Sequence, residues 1–172
     1  MTPNQQFTSR NRLRELLVGK HPSRTLRRAI VLAVLAYVIA RYVFLPVHVQ
    51  GMSMLPTFKD GTIHVANLLK YTWHEPRRGD IVLISLTGTR ALYLKRILGL
   101  PGETIEFRNG ELLVNGEPLA EPYVKGTNSW DMPRMTILPR EYFVAGDNRS
   151  IPINLHTLGT VDRTKIAGGI LF

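Results

Sequence analysis

The pattern of apolar and polar positions changes character once along the chain. From Ala29 to Val47 the segment "AIVLAVLAYVIARYVFLPV" is apolar almost throughout, and no polar face recurs at helical spacing. At about 1.5 Å of rise per residue such a run forms a helix roughly 28 Å long, close to the hydrocarbon thickness of a bilayer. Arg41 interrupts it in the C-terminal third, where a long side chain can snorkel to the interface. Tyr37 and Tyr42 suit that boundary and Pro46 suits a helix end. The pattern predicts one transmembrane helix over residues 29–47. An alternative stays open, because the clean core Ala29–Ala40 has the length of a signal-peptide apolar region and Val38-Ile39-Ala40 would serve as its cleavage site.

After Val49 the helical pattern is gone. "DIVLIS" (Asp80–Ser85) and "ALYLKRIL" (Ala91–Leu98) are short runs rich in Ile, Val, Leu and Tyr, and they predict strands, the first buried on both faces. Asn109-Gly110 and Asn115-Gly116 punctuate "TIEFRNGELLVNGEPL". They predict two tight hairpins, because a type I′ turn needs positive φ at both central residues. "REYFVAGDN" predicts a further strand, Glu141–Ala145. Strands so closely spaced give a mostly β fold of curled antiparallel sheets over residues 48–172, behind a tail at 1–28 and the helix at 29–47.

Charge then gives the helix a direction. The net charge is +9. Residues 1–47 carry eight Lys/Arg against Glu15 alone, whereas the remainder is nearly balanced. Arg24, Arg27 and Arg28 stand directly before the apolar run, so the positive-inside rule puts the N-terminus in the cytoplasm and the β domain across the cytoplasmic (inner) membrane. A basic, acid-poor leader also fits an organelle presequence, which leaves an organelle membrane open. A nucleic-acid-binding domain would carry its basic face on the folded part, so nucleic acid is not an expected partner. The absence of cysteine removes disulfides, zinc–thiolate sites and a thiol nucleophile. His21, His48, His64, His74 and His156 fall in no metal-binding spacing, so neither metal nor cofactor is expected and the histidines read as surface or loop residues.

Two positions carry candidate chemistry. In "GMSMLPTF" Ser53 sits between two methionines ahead of a Pro-Thr turn; position 55 is Leu, so this is not the G-x-S-x-G elbow of α/β-hydrolases. In "YLKRILGLPGE" a lysine, Lys95, lies inside an apolar strand. Strand alternation puts Lys95 and Arg96 on opposite faces, so one must point inward unless the strand is an edge. An inward lysine is costly when charged, and about 3 kcal/mol of differential destabilisation brings its pKa from about 10.4 to about 8. Such an amine can take a proton from a serine hydroxyl.

"GMSMLPT", "GDIVLIS", "YLKRILGLPGE" and "GDNR" occur in this order behind an N-terminal anchor. Over roughly Gly51–Gly159 they resemble the successive motifs of type I signal peptidases, the membrane-bound Ser-Lys proteases that remove signal peptides from exported preproteins. The resemblance implies the β fold shared with LexA-like self-cleaving proteins. It implies Ser53 as the acylating nucleophile, its backbone N–H as an oxyanion donor and Lys95 as general base. It also implies Val49, Tyr93 and Leu94 as walls of shallow pockets for small substrate residues, with the substrate added to a sheet edge, and Met52 and Met54 as adaptable apolar surface near the bilayer. The implied partners are preprotein signal peptides, membrane lipid and the export translocase. One departure stands out. After Gly146-Asp147-Asn148-Arg149 the family's usual Ser, Asp and Arg positions hold Pro152, Asn154 and His156. Ser150 is the hydroxyl that would have to reach Lys95 instead. That departure motivates a second reading, a catalytically weak or inactive homologue acting as a binding or accessory subunit. A soluble, self-cleaving regulator fits less well, given the apolar run and the absence of a helix-turn-helix pattern.

Overall fold

Both Asn-Gly pairs turn as the sequence predicts. Asn109 and Gly110 have φ of 49° and 83°, and Asn115 and Gly116 have 54° and 87°. The first pair joins β5 (Thr104–Arg108) to β6 (Glu111–Val114), and the second joins β6 to β7 (Glu117–Pro118). With β8 (Met132–Thr136) these make a four-stranded antiparallel sheet in the order β7-β6-β5-β8. The computed structural model describes residues 22–85, 92–126, 129–156 and 159–171; residues 1–21 of the predicted tail lie outside them.

The second sheet has seven strands, ordered β1-β2-β11-β3-β4-β9-β10, all pairs antiparallel. They are β1 (Phe44–His48), β2 (Ile63–Asn67), β3 (Ile81–Ser85), β4 (Leu92–Gly99), β9 (Glu141–Ala145), β10 (Gly159–Asp162) and β11 (Ile166–Ile170). The predicted strand in "DIVLIS" is β3, and Ile81, Val82, Leu83 and Ile84 are all buried. Its residues divide between two cores. Val82 and Ile84 pack with Ile97, Tyr142 and Val144, while Ile81 and Leu83 pack with Val49, Met54, Phe58 and Ile170. A third core, built round Phe107, Leu112, Trp130 and Ile137, belongs largely to the four-stranded sheet.

The chain divides into two compact units, Met1–Tyr42 and Val43–Phe172. Among the described residues the one α-helix, α1, spans Pro22–Val43. This corrects the predicted helix at 29–47. Phe44–His48 leaves helical geometry to pair with β2, Phe44 opposite Asn67 and His48 opposite Ile63. Pro46 lacks an N–H, which an edge strand tolerates and a helix interior does not. α1 also takes in Arg24, Arg27 and Arg28 and keeps Arg41. Among the described residues no helix is long and apolar enough to cross a membrane.

Candidate active site

The loop that follows β1 closes on itself before it presents Ser53. Val49 exchanges backbone bonds with Gly61 and Thr62, and the Gly51 N–H donates to Asp60 Oδ1 at 2.8 Å. Gly51 has φ of +93°, a conformation costly for any residue with a Cβ. The turn sends the two methionines apart. Met54 is buried among Val49, Phe58 and Leu83, whereas Met52 is exposed. The expectation of two methionines on the surface therefore holds for Met52 alone; Met54 anchors the loop to the core.

β4 supplies the partner of Ser53. Lys95 Nζ lies 3.0 Å from Ser53 Oγ, and among the described residues this is the lysine's side-chain hydrogen bond. Lys95 is 3% exposed. Burial pulls its amine down from 10.5 to about 8, with the Asp147 carboxylate acting in the opposite direction. Alternation predicts one inward residue of the Lys95–Arg96 pair, yet both are buried, because both faces of the sheet are covered at this point. Arg96 meets Asp147 through two bonds, Nε to Oδ1 at 2.8 Å and Nη2 to Oδ2 at 2.7 Å. The Thr57 hydroxyl donates to the same carboxylate. A fully buried carboxylate thus faces an arginine and the threonine of the Ser53 loop, which keeps a charge inside the protein at tolerable cost.

The final loop docks against this arrangement at contact distance. A Cβ built on Gly146 would stand 2.1 Å from the Ser53 carbonyl oxygen and 2.7 Å from the His156 ring, so only glycine fits. His156 is buried and packs edge-on against Trp130 at 4.8 Å. That corrects its assignment to the surface: the space left by Gly146 and the face of Trp130 admit an imidazole. Pro152 precedes a 3-10 turn, Ile153–Leu155, that contains the exposed Asn154. Ser150 is exposed and lies beside Gly126, so it does not take up a place on Lys95.

Sequence reasoning singled out Ser53 and Lys95 and the flanking Val49, Tyr93 and Leu94, and the structure gathers all five around one cavity of about 230 Å³. β1 stands at the edge of the seven-stranded sheet and β4 four places away, yet Val47, His48 and Leu92 line that same cavity. The sheet must curl for this to happen. Leu92–Lys95 pair with β3 on one side, whereas β9 begins its pairing only at Arg96. Among the described residues the cavity is therefore flanked by two strand edges without partners, one from β1 and one from β4. The roles of Arg96, Asp147 and Thr57 were not drawn from the sequence. Their only signal was position, Arg96 beside Lys95 and Asp147 inside "GDNR".

Comparison with known proteins came out uniformly. The family described as "Signal peptidase, peptidase S26" matches residues 23–172. Signal peptidase I of Bacillus amyloliquefaciens is 37% identical over 153 residues, covering 82% of this chain and 79% of its own. Signal peptidase I of Bacillus licheniformis is 34% identical over 154 residues, covering 82% of each. A crystal structure of a signal peptidase I from Enterococcus faecalis aligns with 57% of this chain and 97% of its own, at 28% identity and a TM-score of 0.45.

Proposed function

The chain belongs to the signal peptidase family, peptidase S26, and from that premise we propose that it is a membrane-bound serine endopeptidase that removes signal peptides from exported preproteins. The observation that carries this reading is the 3.0 Å contact between Lys95 Nζ and Ser53 Oγ at an amine pulled down to about 8. With the amine neutral, the hydroxyl donates to its lone pair. Ser53 Oγ then attacks the scissile carbonyl while Lys95 takes the proton, and the tetrahedral oxyanion forms beside the backbone N–H of Ser53. Lys95 returns that proton to the leaving amine, giving an acyl-enzyme and a free mature N-terminus. Water hydrolyses the ester, with Lys95 again accepting a proton, and Ser53 is regenerated.

The two open strand edges suit an extended substrate, which would satisfy their backbone groups by strand addition. Val49, Tyr93 and Leu94 would then bound the pockets for small residues at the first and third positions before the cut. We assign membrane attachment to α1, with Arg24, Arg27 and Arg28 on the cytoplasmic side and the β unit on the far side, where preproteins leave the export translocase. An apolar stretch shorter than the bilayer is accommodated by local thinning and by flanking arginines that snorkel to the interface.

The test is cleavage of a preprotein in detergent micelles by the intact chain and by Ser53→Ala and Lys95→Ala. Cleavage by wild type at a small-x-small site, lost in both variants, is the expected result. A folded wild type that binds preproteins without cleaving them would overturn this reading in favour of the accessory one that Pro152, Asn154 and His156 motivate.

A further inference from the structure

The Ser53 N–H is held from behind. Met52 C=O and Ser53 N–H belong to one planar trans peptide, so they point in opposite directions, and whatever fixes the carbonyl fixes the N–H. Asn148 Nδ2 donates to the Met52 carbonyl at 3.0 Å, and the Asn148 backbone N–H donates to the Ser53 carbonyl at 3.0 Å. The amide of Asn148 has one orientation that serves both its neighbours. Its Oδ1 accepts from Ser150 N at 3.3 Å, which turns Nδ2 toward Met52. The Met52 side chain is exposed and cannot hold its own peptide by packing; its carbonyl also accepts from the Leu55 N–H at 3.1 Å within the same turn, so Asn148 is the grip that comes from outside the Ser53 loop. Gly51 contributes no side chain, and its N–H is already committed to Asp60. Among the described residues the Ser53 N–H itself donates to no protein acceptor.

We propose that Asn148 is a positioning residue that aims the Ser53 N–H at the developing oxyanion by gripping the opposite end of the same peptide plane. The inference rests on the peptidase reading above and deepens it. The second bond, from the Asn148 backbone to the Ser53 carbonyl, fixes the peptide that follows, so the nucleophile is clamped on both sides by one residue of the final loop. Gly146, whose Cα abuts the Ser53 carbonyl, lets that loop come close enough to do this. Oxyanion donors act only in the transition state, so the grip contributes to kcat and not to substrate affinity.

Two variants separate the parts. Asn148→Asp keeps an acceptor for Ser150 N and loses the donor to Met52; Asn148→Ala loses both and keeps the backbone clamp. The measurements are preprotein cleavage kinetics and the affinities of a peptide aldehyde and of the matching product peptide. The aldehyde adds Ser53 Oγ to form a hemiacetal whose oxygen occupies the oxyanion position; the product peptide does not. Removing an oxyanion donor costs about 10²–10³ in kcat, so loosening one predicts a loss of about tenfold or more in both variants with KM nearly unchanged. Aldehyde affinity should fall in step with kcat while product affinity holds, and the alkaline midpoint of the Asn148→Ala profile should not move. Unchanged kcat, or unchanged aldehyde affinity, in folded Asn148→Asp overturns the assignment. So does a shifted midpoint in Asn148→Ala with full rate on the plateau, which would place the effect on Lys95. Absence of cleavage by wild type would instead overturn the peptidase reading, and this inference with it.

Discussion

A buried lysine that titrates near 8 ties both rate and stability to pH, and both rise as the proton is lost. In the proposed mechanism Lys95 acts as a neutral base, so kcat/KM for preprotein cleavage should rise through about pH 8 and level off above it. For stability, the folded pKa lies below the unfolded value of about 10.4, so the unfolded chain binds more protons between them. Stability attributable to Lys95 therefore rises with pH across the window from about 8 to 10.4, and below it the fold carries a cost of about 3 kcal/mol for the buried charge. Lys95→Met should abolish cleavage yet raise the urea midpoint at pH 7, and that gain should shrink at pH 10; a variant less stable at both pH values would contradict the assignment. Lys95 was legible in the sequence because a charge inside an apolar strand is conspicuous. Asp147 was not. Its partners Arg96 and Thr57 lie 51 and 90 residues away, and only the fold brings them together. Met54 misled because a turn, which alternation does not describe, decides where its side chain goes.

At the level of elements, the short signals were the readable ones. Asn-Gly specifies its own turn through local sterics, and both hairpins followed. Gly116 sits at φ of +87°, where a Cβ costs about 1–2 kcal/mol. Gly116→Ala should lower the unfolding free energy by about that much, measured by urea melts, with cleavage at 25 °C unchanged, since the β6–β7 turn contributes nothing to the cavity beside Ser53. The end of α1 was not readable. Phe44-Leu-Pro-Val-His is as apolar as the helix before it, and its strand state comes from pairing with Ile63–Asn67, a tertiary preference that hydropathy does not record. The strand's burial alternates, which is the trace such pairing leaves once one knows where the helix stops.

Within the β unit, the segment that follows β7 reaches the candidate active site through a buried ion pair, beside the Tyr123 ring that lies 3.9 Å from the Arg96 guanidinium. Arg149, 2% exposed, donates to Glu121 through Nη1 at 2.8 Å and through Nη2, and to the Gly146 carbonyl through Nε at 3.0 Å. Its guanidinium stands 5.0 Å from the Trp130 ring centroid and 5.2 Å from that of Phe107. Glu121 follows β7, so the smaller sheet helps to hold the loop that carries Gly146 and Asn148. Glu121→Ala leaves a buried arginine without its counter-charge and should cost about 3–5 kcal/mol in urea unfolding, whereas Glu121→Leu with Arg149→Met should recover most of the loss. A small effect of Glu121→Ala would show that the loop is held by other means. The open edges of β1 and β4 have a consequence of a different kind. Backbone N–H and C=O groups accept any extended segment that fits between them, so edges open enough to take the proposed substrate strand are equally a place where protein sticks to protein. Restricting what arrives there is then a matter of concentration and geometry at a surface. The membrane attachment proposed for α1 would act on the first of these, by confining the chain to the surface where the proposed substrates emerge.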